Sequence, residues 1–174
     1  MHHPLDLFHY CPKCGSEYFE INDFKSKHCS NCGFTYYQNP SSSTAAFILN
    51  SKGELLVARR AKDPAKGTLD LPGGFVDNGE SGEQGMVREI REETGLDIHE
   101  LEYLFSIPNV YHYSGMDIHT LDLFFRCHVE DDAVVHAADD ASECMWLPLR
   151  EVYVERFGLR SIREAVHRFL QLNC

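Results

Sequence analysis

Two periods of apolar and polar residues run along this chain, and each predicts a different kind of element. Residues 44–50 and 54–60 are dense in Ala, Val, Ile, Leu and Phe, and Asn50-Ser51-Lys52-Gly53 between them has hairpin-turn composition. Both read as strands. Residues 102–113, 119–129 and 143–147 predict three more. Residues 81–94 switch to the helical period. Ser81 precedes Gln84 by the capping-box spacing, and Gly95 stands where a helix stops. A short helix is predicted over 148–153. A longer amphipathic one covers 159–172, with Leu159, Ile162, Val166, Phe169 and Leu170 on one face. Residues 64–68 and 69–79 are loops punctuated by Gly and Pro, the second with one short extended piece. Strands mixed with two or three helices predict a layered α/β or α+β sandwich.

The first 38 residues do not share this pattern. They hold four cysteines, several aromatics and few aliphatics, and Asn39-Pro40-Ser41-Ser42-Ser43 reads as a turn-like junction after them. The expected organisation is therefore a small module over residues 1–40 and a larger domain over 41–174. The chain has 174 residues and a net charge of −11. The small module carries three basic and four acidic residues, so nearly all the acidity belongs to the larger part. Bulk charge of this sign does not hold a long nucleic acid, which needs a basic face. Met1-His2-His3-Pro4-Leu5-Asp6 has neither the basic nor the apolar region of a secretory signal. The longest apolar run, Ala45-Ala46-Phe47-Ile48-Leu49, is far short of a bilayer span. A cytoplasmic protein with no membrane partner is expected.

Cys11-Pro12-Lys13-Cys14-Gly15 and Cys29-Ser30-Asn31-Cys32-Gly33 form two Cys-x-x-Cys-Gly knuckles. Two such turns can bring four thiolates onto one tetrahedral Zn²⁺. Buried or redox-active thiols are the alternative, but the strand–helix setting of a thioredoxin-like pair is missing. Four cysteines close the coordination shell, so this zinc would be structural. It would supply folding energy that so short a segment cannot draw from apolar burial. His9 and His28 flank the knuckles and read as surface residues, and Cys127, Cys144 and Cys174 as dispersed free thiols.

On the helix predicted over 81–94, Glu89, Glu92 and Glu93 fall three and four residues apart and can share one face. Like charges at that spacing destabilise a helix unless something offsets them. Arg88 can offset part, and divalent cations suited to carboxylate and water ligands, Mg²⁺ or Mn²⁺, the rest. A solvated acidic face is the alternative, but it leaves the flanking Pro72-Gly73-Gly74 and Gly95 unexplained. The stretch then matches a known signature: Gly74, five residues, Glu80, seven residues, Arg88-Glu89-Ile90, one residue, Glu92-Glu93, one residue, Gly95-Leu96. In these nine positions the chain resembles the Nudix hydrolases. Leu71-Pro72-Gly73-Gly74 before the box and Trp146-Leu147-Pro148-Leu149 after it resemble the family as well.

The resemblance implies an αβα sandwich around a mixed β-sheet, preceded here by a four-cysteine zinc ribbon. It implies metal-dependent hydrolysis of a pyrophosphate joining a nucleoside diphosphate to another group. Carried over residue by residue, Glu89, Glu92 and Glu93 would hold Mg²⁺ or Mn²⁺ with the Gly74 carbonyl. Glu89 could also act as general base, Arg88 would orient the carboxylates, and Glu80 would brace the loop. Some members take the base from a late loop, where Asp140 and Glu143 are the candidates and a plain polar turn is the alternative. Arg59 and Arg60 end a strand near the box and are candidate phosphate ligands, with surface ion pairing as the alternative.

A ribbon before such a domain resembles the NADH pyrophosphatase family. That family's downstream Ser-Gln-Pro-Trp-Pro-Phe-Pro signature is only echoed here, by Ser106 and Pro108. The expected substrate is therefore ADP-ribose or a similar nucleotide sugar. NADH or NAD (including NAD-capped RNA), an oxidised nucleotide, and a non-catalytic nucleotide-sensing role are the alternatives. Phe75, Tyr111 and Tyr113 are candidates for stacking on a base, against the alternative of core packing. Relatives with this ribbon suggest a homodimer.

Overall fold

The computed structural model describes residues 3–129, 135 and 141–173. The chain divides into two compact units that part between Pro40 and Ser41. In the first, β1 (Phe19–Asp23), β2 (Ser26–Cys29) and β3 (Thr35–Tyr37) form an antiparallel sheet in that order. Its core is slight: Cys11, Phe19 and Cys29 are buried, with Phe8, Cys32 and Phe34 packed against them. No strand is predicted here by hydrophobic period, because so small a core leaves no period to read.

The second unit is built on β4 (Ser41–Leu49), β5 (Glu54–Arg60), β6 (Leu69–Asp70), β7 (Glu102–Tyr113), β8 (Met116–His128) and β9 (Ala141–Pro148). The sheet runs β6-β5-β4-β8-β7, and β9 pairs with β5. β4 and β8 pair in parallel and the other pairs are antiparallel, so the sheet is mixed. Alternation along the central strands sorts side chains onto two faces. Ala45, Phe47, Leu49, Leu55, Val57 and Phe124 face one core. Ala46, Ile48, Leu56, Phe125 and Cys127 face the other.

Each core is closed by one helix. α1 (Gly82–Thr94) covers the second with Met86 and Ile90. α2 (Arg160–Leu172) covers the first with Ile162, Ala165, Val166 and Phe169. This is the expected αβα sandwich. The Phe169 ring stacks on Phe47 at 4.0 Å and 4°. Among the described residues no helix is long and apolar enough to cross a membrane.

Several boundaries differ from the sequence reading, among them that of β9, which runs Ala141–Pro148 and not 143–147. β4 begins at Ser41, inside the segment read as a turn, because Ser41, Ser42 and Ser43 pair in register with Thr120, Leu121 and Asp122. Three serines carry no apolar signal, and only the partner strand makes them extended. β8 begins at Met116 because Ser114 and Gly115 both take positive φ, 51° and 77°, and close a tight hairpin with β7. The helix expected over 148–153 is instead a single 3-10 turn, Leu149–Glu151, with another at Val154–Arg156. Pro148 still belongs to β9, which leaves too few residues for an α-helical nucleus.

Phe169→Ala empties a fully buried site against Phe47, in the core that α2 closes. It should cost about 3–5 kcal/mol of unfolding free energy, measured by urea denaturation, while an exposed change such as Gln171→Ala should stay within about 0.5 kcal/mol.

Candidate active site

α1 starts and stops by its own residues. The Gln84 N–H donates to Ser81 Oγ at 3.3 Å and the Ser81 N–H to Gln84 Oε1 at 2.8 Å, a complete capping box. Gly95 ends the helix in the left-handed region, φ 74°, its N–H donating to the Arg91 carbonyl at 2.9 Å. The helix is thus fixed in phase, with Met86 and Ile90 inward and Arg88, Glu89, Glu92 and Glu93 toward the loop before it.

That loop continues the sheet. The N–H groups of Thr44 and Ala46 donate to the carbonyls of Gly74 and Pro72 at 2.8 and 3.0 Å, and the Val76 N–H to Ser42 at 3.0 Å. Residues 72–76 therefore lie flat along β4. At residues 73 and 74 this closeness leaves no space for a side chain as the neighbours stand. A Cβ on Gly73 would stand 2.1 Å from the Thr44 carbonyl oxygen, and one on Gly74 would stand 2.5–2.7 Å from the Glu89 carboxylate. The Gly73 N–H donates to Glu93 Oε2 at 2.9 Å. One Gly-Gly dipeptide thus receives two of the three carboxylates.

Arg88 gathers the others. Its Nε and Nη2 grip both oxygens of Glu80 at 2.9 and 3.0 Å, Nη1 reaches Glu89 at 2.8 Å and Glu92 at 3.1 Å, and Nη2 also donates to the Phe75 carbonyl at 2.9 Å. A planar fork can do this and an ammonium cannot. Glu80 in turn accepts from the Asp77 N–H at 3.0 Å, so it ties loop to helix. Arg88 holds the Glu80 carboxyl below the ordinary range. Glu89 goes the other way: burial raises its pKa and the Glu92 and Asp77 charges add to this, against the pull of Arg88. Glu89 is 15% exposed and Glu92 55%. A largely buried carboxylate pressed against glycine, one bonded to the neighbouring N–H and one at the rim suit a divalent cation that keeps several waters.

Beside Gly73 and Gly74, on the α2 face of the sheet, lies a cleft of about 150 Å³. Ser43, Thr120 and Asp122 form its floor. The Ser43 and Thr120 hydroxyls donate to Asp122 Oδ1 at 2.5 and 2.6 Å. Arg60 and Asp70 stand in the wall as an ion pair at 2.5 Å, and Arg60 Nε also donates to the Pro64 carbonyl at 2.8 Å. Burial pushes the Asp70 carboxyl up despite this partner. Phe75 and Tyr111 meet edge to face at the mouth, ring centroids 6.4 Å apart, and Tyr111 stacks on Tyr113 at 6.2 Å.

Arg59 lies outside this cleft, bonded to Glu143 at 3.0 Å and to the Gly67 carbonyl at 3.0 Å. The candidate phosphate ligand and the candidate late-loop base are thus each other's partners, 35% and 56% exposed. Asp140 and Cys174 lie outside the described residues. Asp70, Thr120, Asp122 and Ser161 are cleft residues that the pattern reading passed over. One signal was there: in Thr120-Leu121-Asp122-Leu123-Phe124 the buried face carries Thr120 and Asp122, and Leu121 is 40% exposed. The alternation is inverted where a ligand rather than core would sit.

In the first unit the Sγ atoms of Cys11, Cys14, Cys29 and Cys32 lie within 4.8 Å of one another, the one group of its kind among the described residues. Cys11–Cys32 is 3.8 Å and Cys14–Cys29 3.7 Å. A tetrahedral ion with thiolate bonds of about 2.3 Å needs sulfurs ~3.8 Å apart, so the four fit one metal ion. The Ser16 N–H and Asn31 amide lower the Cys14 thiol to about 6. Cys32 is favoured as thiolate by the Phe34 N–H, yet burial and the neighbouring sulfurs push it up to about 12. A bound cation removes that repulsion.

The fold and the carboxylate loop–helix define a class, and comparison with known proteins agrees with it. A family model, the NUDIX domain, matches residues 39–169. The chain belongs to the NUDIX family. It is 27% identical over 162 residues to the NAD-capped RNA hydrolase NudC of Stutzerimonas stutzeri, covering 92% of this chain and 54% of that one. It is 33% identical over 176 residues to NudC of Haemophilus influenzae, covering 99% and 64%. The chain therefore spans about half to two thirds of the length of these relatives. A crystal structure of a NUDIX hydrolase from Nitrosomonas europaea has the same fold, TM-score 0.69 at 23% identity, over 93% of this chain and 90% of that one.

Two outcomes follow from this geometry. Gly73→Ala should destabilise the larger unit by about 1–3 kcal/mol, read from its urea midpoint. A thiol-competing chelator should strip hydrogen-exchange protection from β1–β3 and leave that of β4, β5 and β8 in place.

Proposed function

We propose that this chain hydrolyses, with Mg²⁺ or Mn²⁺, a pyrophosphate bond linking a nucleoside phosphate to another group. The observation that carries the reading is the convergence of Glu89 and Glu93 on Gly73-Gly74, with Arg88 ordering Glu80, Glu89 and Glu92 around it. Glu89, Glu92, Glu93 and the Gly74 carbonyl would hold the metal. When bound, such ions neutralise pyrophosphate oxygens and lower the pKa of attacking water. Glu89, raised by burial, is the group we assign to accept the proton of that water. Arg88 keeps the carboxylates apart and aimed, and Glu80 keeps the loop at its distance from α1. The first unit we read as a zinc ribbon with Cys11, Cys14, Cys29 and Cys32 as ligands, and the whole as a cytoplasmic protein.

The relatives change the order of expected substrates. Two proteins at 27% and 33% identity carry the name NAD-capped RNA hydrolase, so an NAD-type dinucleotide moves ahead of ADP-ribose. The chain departs from the signature expected of such enzymes in β7, where Asn109 and Val110 stand. The cleft has room for one ring-sized group, which either substrate can supply.

The test is a Mg²⁺-dependent screen over NAD⁺, NADH, NAD-capped RNA, ADP-ribose, nucleotide sugars and 8-oxo-dGTP. Mononucleotide products are expected from NAD-type substrates. Glu89→Gln and Glu93→Gln should each lower kcat by about 10²-fold or more with unchanged melting temperature. No product from any substrate would leave a nucleotide-sensing role in place of catalysis.

A further inference from the structure

The pyrophosphohydrolase reading uses only the volume of the cleft beside Gly74, and the polar groups lining it carry a chemistry of their own. Asp122 is 7% exposed on its floor. It is bonded there by two hydroxyls, Ser43 and Thr120, and no described cation pairs with it. Arg60 in the wall is already engaged by Asp70. Two buried carboxyl groups thus stand against one guanidinium. Ser161 lines the same cleft from the first turn of α2. It is 1% exposed, and its Oγ has no hydrogen-bond partner, the one such buried side-chain atom among the described residues. An orphan buried hydroxyl costs stability and is retained where something else satisfies it.

These features specify an occupant. A phosphate is excluded by the two carboxylates. A flat ring fits the volume and has Phe75 and Tyr111 to lie against at the mouth. An acceptor-only floor at Asp122 demands a donor from that ring, and Ser161 can donate to an acceptor next to it or accept in turn. We infer that Asp122 and Ser161 make this cleft a specificity pocket for a planar ring carrying an NH2 group beside an acceptor, and that the pocket rejects rings that present a carboxylate or lack the NH2. The inference rests on the pyrophosphohydrolase reading of the adjacent site. Both rings of an NAD-type dinucleotide have this chemistry: adenine through its exocyclic amine, nicotinamide through its carboxamide.

The experiment is calorimetric titration of the full chain with Mg²⁺ and four mononucleotides. AMP is compared with purine riboside monophosphate, which lacks the amine. Nicotinamide mononucleotide is compared with nicotinic acid mononucleotide, which has a carboxylate for the amide. In at least one pair the NH2-bearing ligand should bind about 10- to 100-fold tighter, the size of a hydrogen bond to a charged group; which pair does so identifies the ring. Asp122→Asn should shrink that ratio to below about threefold. Ser161→Ala should weaken the NH2-bearing ligand several-fold without lowering the melting temperature, since it removes an unpaired hydroxyl. Equal binding within both pairs, or a ratio that survives both substitutions, overturns the inference. The hydrolysis screen is read separately. Discrimination without turnover would keep the pocket and remove the catalytic reading; turnover without discrimination would do the reverse.

Discussion

Arg88 is the group on which the site depends. Glu80, Glu89, Glu92 and Glu93 crowd one helix and the loop before it, and like charges at helical spacing oppose the fold that brings them together. A single guanidinium meets three of them and the Phe75 carbonyl at once. It leaves Glu93 to the Gly73 N–H. The arrangement offsets repulsion without cancelling it. Glu89 stays pushed up by burial and by its acidic neighbours, which is a state that a cation relieves. Stability has been given up at the carboxylates that we propose hold the metal.

Position comes from the sheet. β4 lies at its centre, parallel to β8 on one side and meeting β5 on the other. The loop over residues 72–76 is laid along its start by three backbone hydrogen bonds. The same strand sends Ala46 and Ile48 under α1 and Ala45 and Phe47 under α2. It therefore fixes both the helix that carries the carboxylates and the wall of the cleft next to them. Gly73 is demanded by its closeness to the Thr44 carbonyl and by its φ of 153°, and a side chain on Gly74 would displace the Glu89 carboxylate.

Much of this was legible in the residues. The capping box at Ser81 and Gln84 and the stop at Gly95 give α1 within a residue, because caps are local chemistry. The continuous apolar run over residues 45–49 marks a strand buried on both faces, and the two Cys-x-x-Cys turns name their own cluster. What could not be read was set at a distance along the chain. Ser41–Ser43 are extended only because residues 120–122 pair with them. Arg59 and Glu143 are 84 residues apart and meet across β5 and β9. Asp122 looks like one acid among 27 until the strand pairing turns it inward. The cleft is assembled from β4, β5, β6, β7, β8 and the start of α2, and no single window of sequence contains it.

The two faces of β4 have a consequence for how such a protein can change. The residues we propose for catalysis ride on α1 and the loop against it, while Thr120, Asp122 and Ser161 line a cleft on the α2 face of the sheet. Substitutions at Thr120, Asp122 or Ser161 share no hydrogen bond with Arg88 or its carboxylates. The two places are linked through Ser43, which bonds Asp122 and pairs with Phe75, so a departure from additivity should run along that path. On the proposed reading, what the cleft recognises can be altered by substitutions that leave the Arg88 network in place, because β4 stands between the two.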